Sequence, residues 1–288
     1  MSMNSWEWYV SHFPESMFLC SQRRLNDYTV EVIHGKGVAS RSNVLFCGIA
    51  RNIERHLPYT IARIKALGSL FKSYGVFIFE NDSNDRTLAQ LQKWASEDNR
   101  VNVESATWNP PPFDDPRGRV RRFYMAKARN EYLRFARHIS QKQLLDYIII
   151  MDMDLAGGWS YHGVLNSLGK HTPWDVIGSN SLYYANKDNE WFKLFYDSWA
   201  FRTLDHPEPL EDQEANCFVF NRGEPMIEVN SCFGGLGIYR PYFISEGIDY
   251  TDEDCDHPTL HNELVKRGYK IFLNPSQITL YNRSQYVI

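Results

Sequence analysis

Long apolar runs are missing from this 288-residue sequence. The longest, such as Tyr147-Ile148-Ile149-Ile150-Met151, have the length of a strand and fall far short of the ~20 residues that span a bilayer. The first nine residues carry no basic stretch followed by an apolar run, so no secretory signal is expected and a cytoplasmic location is. An excess of positive charge is missing too. The 31 Lys and Arg against 35 Asp and Glu leave a net charge of −4, which excludes the broad basic footprint of a nucleic-acid or anionic-membrane binder. Cysteine is sparse: Cys20, Cys47, Cys217, Cys232 and Cys255 are scattered, odd in number and without a Cys-x-x-Cys pair. That argues against a zinc ribbon and a disulfide framework, and for mostly buried thiols in a reducing compartment. There is no internal repeat and no low-complexity tract.

What is present is an ordinary globular composition, 43% hydrophobic and 23% charged. A chain near this length buries roughly 75% of its unfolded surface, enough for one large domain or two merged ones. Residues 1–42 are aromatic and polar without a clear period and are read as an N-terminal elaboration. Periodicity begins at residue 43. Strands are expected at 44–49, 76–79, 101–103 and 147–151. Helices are expected at 54–74, 86–96 and 119–139, with Ser83 or Asp85 capping the second. This alternation predicts an α/β fold with a mostly parallel sheet covered on both faces, binding its ligand at the carboxyl ends of the strands. Residues 43–155 form this first half. Residues 156–288 read as a mixed α+β half merged with it, with short strands at 176–178, 218–220 and 226–229 and a late helix at 258–267.

Asp152-Met153-Asp154 follows the most apolar strand. Residues two apart share a face if the backbone stays extended, so the two carboxylates can converge. A divalent cation between them and a diphosphate reverses an otherwise repulsive pairing, and Mn2+ or Mg2+ prefers such oxygen ligands. Asp-x-Asp is also a common acidic turn; its place after an intact strand–helix half favours the metal. Gly157-Gly158 would permit close backbone approach. At the other strand ends, Arg51 can pair with a phosphate, and Glu80 and Asp82 can accept hydrogen bonds from a base or a ribose. Asn81-Asp82-Ser83-Asn84-Asp85 is in addition ordinary turn chemistry. Arg122 and Arg129, seven apart on one helix, share a face.

Gly48-Ile49-Ala50-Arg51-Asn52, Glu80-Asn81-Asp82-Ser83-Asn84-Asp85-Arg86-Thr87, Ala128-Arg129-Asn130-Glu131-Tyr132-Leu133 and the Asp152 strand occur in an order that resembles the GT-A glycosyltransferases. Among these the likeness is to the capsule-associated α-1,3-mannosyltransferase group of fungi and its bacterial relatives. It spans roughly residues 43–275.

The resemblance implies a GT-A fold and transfer of a hexose, mannose being one candidate, from a nucleoside-diphosphate sugar to a hydroxyl of a glycan or other acceptor. Ala50, Arg51, Glu80 and Asp82 would then hold the nucleoside, with Arg122 and Arg129 on the donor side. Asp152 and Asp154 would carry Mn2+ or Mg2+. Asn230-Ser231-Cys232-Phe233-Gly234-Gly235-Leu236-Gly237 resembles the glycine-rich segment beside the donor sugar, with Gly234 and Gly235 in contact. In the late cluster Asp252-Glu253-Asp254-Cys255-Asp256-His257, the resemblance implies Asp254 or Asp256 as the acidic residue facing the acceptor and His257 as a third metal ligand. The same acids would stabilise a first helical turn, by roughly 0.3–1 kcal/mol each, with Asp256 or His257 as its cap. Glu211-Asp212-Gln213-Glu214 reads as a solvated loop. The competing functions are a haloacid-dehalogenase-type phosphatase, which places its Asp-x-Asp early in the chain and continues it differently from Ala156; a sugar-1-phosphate nucleotidyltransferase, whose basic Gly-rich N-terminal loop is missing; and a non-catalytic sugar- or nucleotide-binding module.

Overall fold

The computed structural model describes residues 12–113, 115, 117–187 and 190–281. Residues 1–11 of the N-terminal elaboration, and Asp114 and Pro116 of the expected proline-rich loop, lie outside them. The first half builds as its periodicity predicts: β1 (Asn43–Ala50), α-helix Leu57–Gly68, β2 (Ser73–Asn81), helix Thr87–Glu97, β3 (Val101–Ala106), helix Arg119–Ser140 and β4 (Tyr147–Asp152). One helix precedes them, so in chain order the helices are α1 (Gln22–Ala39), α2 (Leu57–Gly68), α3 (Thr87–Glu97) and α4 (Arg119–Ser140). The second half adds β5 (Gly158–Trp159), α5 (Tyr161–Leu168), β6 (Val176–Lys187), β7 (Glu190–Phe195), α6 (Asp212–Ala215), β8 (Ile227–Val229), β9 (Leu236–Tyr239), α7 (Asp256–Lys266) and β10 (Ile271–Leu280).

The ten strands of the described residues join one sheet in the order β3-β2-β1-β4-β9-β6-β10-β5, with β7 beside β6 and β8 beside β10. The pairs β3-β2, β2-β1, β1-β4 and β6-β10 are parallel; β9 runs antiparallel between β4 and β6. Side chains alternate across the strands. Leu45, Cys47, Ile148 and Ile150 pack with α4 and α7 on one face, whereas Val44, Phe46, Ile149 and Met151 pack with α2, α3 and α5 on the other. Each fully buried Ile, Leu or Phe in these layers contributes about 1.5–3 kcal/mol. From β1 the chain winds outward to β2 and β3, then returns to place β4 on the other flank of β1. That reversal opens a crevice beyond the carboxyl ends of β1 and β4.

Some expected elements moved. The helix expected at 54–74 starts at Leu57, because Asn52, Ile53 and Glu54 give their N–H groups to Ser83, to Thr87 at the start of α3 and to Asp85. It stops at Gly68, since Ser73 must already pair with Asn43 in β2. Residues 218–220 form no strand: Phe218 and Phe220 stack on each other and meet Phe195 and Phe201 edge-on in an aromatic cluster instead. Residues 22–39 are helical. They dock on α5 through Glu31, which accepts from Asn166 at 2.8 Å and pairs with Lys170 at 2.6 Å, and through His34 on the Gly169 carbonyl. Residues 212–215 form a short helix within the expected acidic loop. The cap of α7 is Cys255, one residue earlier than expected, with Asp256 in the first turn. Among the described residues no helix is long and apolar enough to cross a membrane.

Candidate functional site

A cavity of about 340 Å³ fills the crevice outside β1 and β4. Its two ends differ in chemistry. One end is lined by Ile49, Ala50, Arg51, Asn81, Phe113, Tyr124 and Met125. It is apolar and aromatic, with the Arg51 guanidinium 5.6 Å from the centre of the Phe113 ring. The strand ends that shape it are fixed by residues in the left-handed backbone region: Asn52 (φ 54°), Asp82 (φ 51°) and Asn109 (φ 49°). Asn and Asp tolerate this conformation better than other side chains. Asn52 Oδ1 accepts from the Asn84 N–H, and Asp82 Oδ1 accepts from the N–H groups of Trp108 and Asn109, each at 2.9 Å. Burial is the largest single effect on the Asp82 carboxyl and raises it, but the bonds from Asn81, Asn109 and Trp108, with Arg51, together outweigh it and hold the group below the usual carboxylate range. Glu80 is buried, accepting from the Ser83 N–H and the Ser105 hydroxyl. Of the four residues expected at the nucleoside, Ala50 and Arg51 line the cavity, whereas Glu80 and Asp82 tie loops together and Asn81 between them lines the cavity instead.

The other end is acidic: Asp152, Asp154, Asp197 and Asp256 line it with His257 and Phe233. The backbone does not stay extended through Asp152-Met153-Asp154. The strand ends at Asp152 and turns at 153–154. Met153 is buried, with its thioether in the space left beside Gly48, while both carboxylates still reach the same cavity. Two polar residues on the buried face of α2 hold this turn. Thr60 Oγ1 donates to the Met153 carbonyl at 2.8 Å, and Arg63 donates to those of Leu155 and Ala156 at 2.8 and 3.0 Å. The apolar periodicity of α2 conceals them.

Arg129 links the two sides. It lies 3.5 Å from Asp152 Oδ1 and in direct contact with Asp256 Oδ2, and its side chain is 4% exposed. The shared face expected for Arg122 and Arg129 is present, but it points at the 250s segment: Arg122 donates to the Glu253 carbonyl and does not line the cavity, whereas its neighbour Arg121 does. Burial raises Asp152 well above its ordinary range, with Asp154, Asp197 and Asp256 pushing the same way against Arg129. Burial opposes ionisation of Asp256 as well, yet Arg129 and the Cys255 thiol hold it far below the usual range.

Gly234 and Gly235 do not line the cavity; Phe233 does. Both have positive φ, 63° and 76°, and a Cβ on Gly234 would lie 2.2 Å from the Ser179 carbonyl oxygen. They orient the acids instead. Gly234 N–H donates to Asp197 Oδ2 at 2.7 Å, and Gly235 accepts from the Asp152 N–H at 2.9 Å. Asp197 carries no sequence signal beyond an acid among aromatics. Burial raises its carboxyl, offset in part by N–H groups of Gly234 and Ala200. Asp254 is outside the lining, paired with the buried Arg202 at 3.1 Å.

His257 is 2% exposed and stacked on Phe233, with ring centres 3.5 Å apart. Neither ring nitrogen meets a hydrogen-bond partner among the described residues. Burial and Arg129 hold the imidazole neutral, the form that can ligate a metal. An orphaned neutral imidazole and two carboxylates on one cavity fit a divalent cation. Among the described residues no three His, Cys, Asp or Glu side chains form a ready-made ligand cluster. Mg2+ at phosphate-binding sites typically draws part of its shell from the phosphates and water.

No family profile and no curated protein sequence matches this chain. Among solved structures it is similar to the mannosyltransferase PcManGT from Pyrobaculum calidifontis, in complex with GDP-Man and Mn2+. That likeness has 11% identity and a TM-score of 0.51, over 94% of this chain and 69% of that one. Weaker likenesses, which carry no argument, are to S. aureus TarS 1-349 (13% identity, TM-score 0.46, 83% and 60% covered) and to GalNAc-T7 with UDP, GalNAc and Mn2+ (12%, 0.48, 92% and 53%). This chain spans under two thirds of the length of those last two. The first likeness, together with the mixed sheet and its reversal at β1 and β4, shows that the chain has the GT-A fold.

Proposed function

We propose that this protein is a glycosyltransferase that moves a hexose from a nucleoside-diphosphate sugar to a hydroxyl of a glycan or other acceptor, with Mn2+ or Mg2+ held by Asp152, Asp154 and His257. The observation that carries this reading is the polarity of this cavity. An aromatic, Arg51-bearing end suits a nucleoside, and an acidic end at the turn after β4 suits a cation on a diphosphate. When bound, the cation would offset the charge that develops on the departing diphosphate. Arg129 keeps Asp152 and Asp256 in fixed positions. Asp256, locked against Arg129, is poorly placed to take a proton. Asp197, shared by this cavity and its neighbour, is the better candidate for receiving the acceptor hydroxyl's proton if transfer inverts the anomeric centre. Mannose is the first donor sugar to try, since the P. calidifontis enzyme was captured with GDP-Man and Mn2+. A phosphatase reading has no support from the placement of Asp152 and Asp154 at the end of β4, the fourth strand, and in the turn after it.

The test is release of nucleoside diphosphate from a panel of nucleotide sugars, GDP-mannose first, with Mn2+. Turnover is expected to stop with EDTA and to fall by roughly a hundredfold or more in Asp152→Ala and Asp154→Ala. Undiminished turnover in both variants would end the metal-site proposal. Nucleotide binding without turnover on any acceptor would leave a binding module.

A further inference from the structure

A second cavity, of about 350 Å³, adjoins the first. The two share four lining residues: Arg121, Tyr196, Asp197 and Trp199. The two cavities therefore lie side by side, with Asp197 on the wall they share. The chemistry of this second space differs from that of the acidic end beside it. Asp197 is the one carboxylate among its described lining residues, and it lies on the shared wall. Arg121 and Arg117 both stand over the Trp199 ring, their guanidinium carbons 5.6 and 6.0 Å from its centre. Arg121 forms no ion pair with a carboxylate among the described residues, in contrast to Arg119, Arg129, Arg134 and Arg137 on the same helix. Ser198 and Asn216 add a hydroxyl and an amide.

We infer that this second cavity is the acceptor subsite, and that it selects a saccharide carrying an anionic group, a carboxylate or a phosphate, which Arg121, braced on the Trp199 ring, reads. The inference rests on the glycosyltransferase reading for the word acceptor, and on its own geometry for the charge preference. A guanidinium held on an aromatic face, with no carboxylate of its own, is a fixed donor pair for such an anion. A neutral sugar would leave that charge uncompensated in the cavity.

The test is a binding titration by saturation-transfer NMR on the full chain with Mn2+ and GDP present. The probes are p-nitrophenyl β-D-glucuronide, glucose 6-phosphate and p-nitrophenyl β-D-glucoside. At least one anionic probe is expected to bind tenfold or more tightly than the neutral glucoside, and whichever binds better names the carboxylate or the phosphate. Arg121→Gln should erase the preference and Arg121→Lys should retain part of it. Equal binding of charged and neutral probes to the unsubstituted protein overturns the inference. So does an Arg121→Gln variant in which GDP binding weakens as much as probe binding, because Arg121 then serves the donor diphosphate. Probe binding is read without turnover, so a failed donor-release assay and a failed charge preference are separate results.

Discussion

Arg129 reaches two carboxylates from different ends of the sequence, Asp152 at the tip of β4 and Asp256 in the first turn of α7. A buried charge with its partners removed is costly, whereas removing the whole cluster is cheap. Arg129→Met is therefore expected to lose about 3–5 kcal/mol in urea unfolding. Adding Asp256→Asn to it should recover a good part of that loss. Additive losses in the two variants would mean that the residues do not act as a pair. Arg129 itself was legible as a basic residue on the helix that feeds the Asp152 strand. Its partner Asp152 was legible too, at the end of the Asp-x-Asp strand; Asp256 was not separable from Asp254, because the two differ by two positions and only the start of α7 decides which one turns inward. Asp197 had no signal at all: what makes it part of the site is the Gly234 N–H that holds it, and that approach depends on the pairing of β9 with β4.

At the scale of elements, α2 acts as a clamp on the turn that carries Asp154. Thr60 and Arg63, three apart on the buried face, take up the carbonyls of Met153, Leu155 and Ala156. Loss of one such buried bond costs about 1 kcal/mol. Thr60→Val is expected to speed amide hydrogen exchange in residues 153–158 and to raise the Mn2+ concentration needed for half-maximal turnover. Unchanged exchange there would show that the turn holds itself. The strands and helices of the first half were readable because their apolar positions repeat at two or near 3.6 residues. The limits of α2 were not, because its neighbouring N–H groups are satisfied by side chains of another loop. Helix α1 was missed for a different reason. Its buried side is made of Tyr28, Gly35 and Ala39, while Leu25, Val30 and Ile33 face outward, so no apolar stripe marks it. Phe218 and Phe220 show the reverse error, an alternation that packs as an aromatic cluster and not as a ladder.

Across the whole molecule, one sheet carries both halves, and α7 closes it with two buried histidines. His261 sits between Ser231 and the Tyr239 hydroxyl, and burial lowers its folded-state value to about 3. Its unfolded value is near 6.5. Between those values the unfolded chain binds the extra proton, so the contribution to stability is complete above about pH 6.5 and is lost as the pH falls. The slope from this one group is about 1.4 kcal/mol per pH unit over that range. His261→Gln is expected to be less stable at neutral pH but to show a shallower acid loss between about pH 6.5 and 4.5. An unchanged slope would place the acid sensitivity elsewhere.

The central claim is that Asp152 and Asp154 hold a divalent cation that in turn holds a nucleoside diphosphate. It is tested most directly by thermal unfolding with the best of a nucleoside-diphosphate panel, with and without Mn2+. At a hundred times its Kd a ligand of the native state adds about 2.7 kcal/mol of stability. The account predicts that this gain appears only when nucleotide and Mn2+ are both present, and that it disappears in Asp152→Asn/Asp154→Asn. An equal gain in EDTA, or in the double variant, would contradict it.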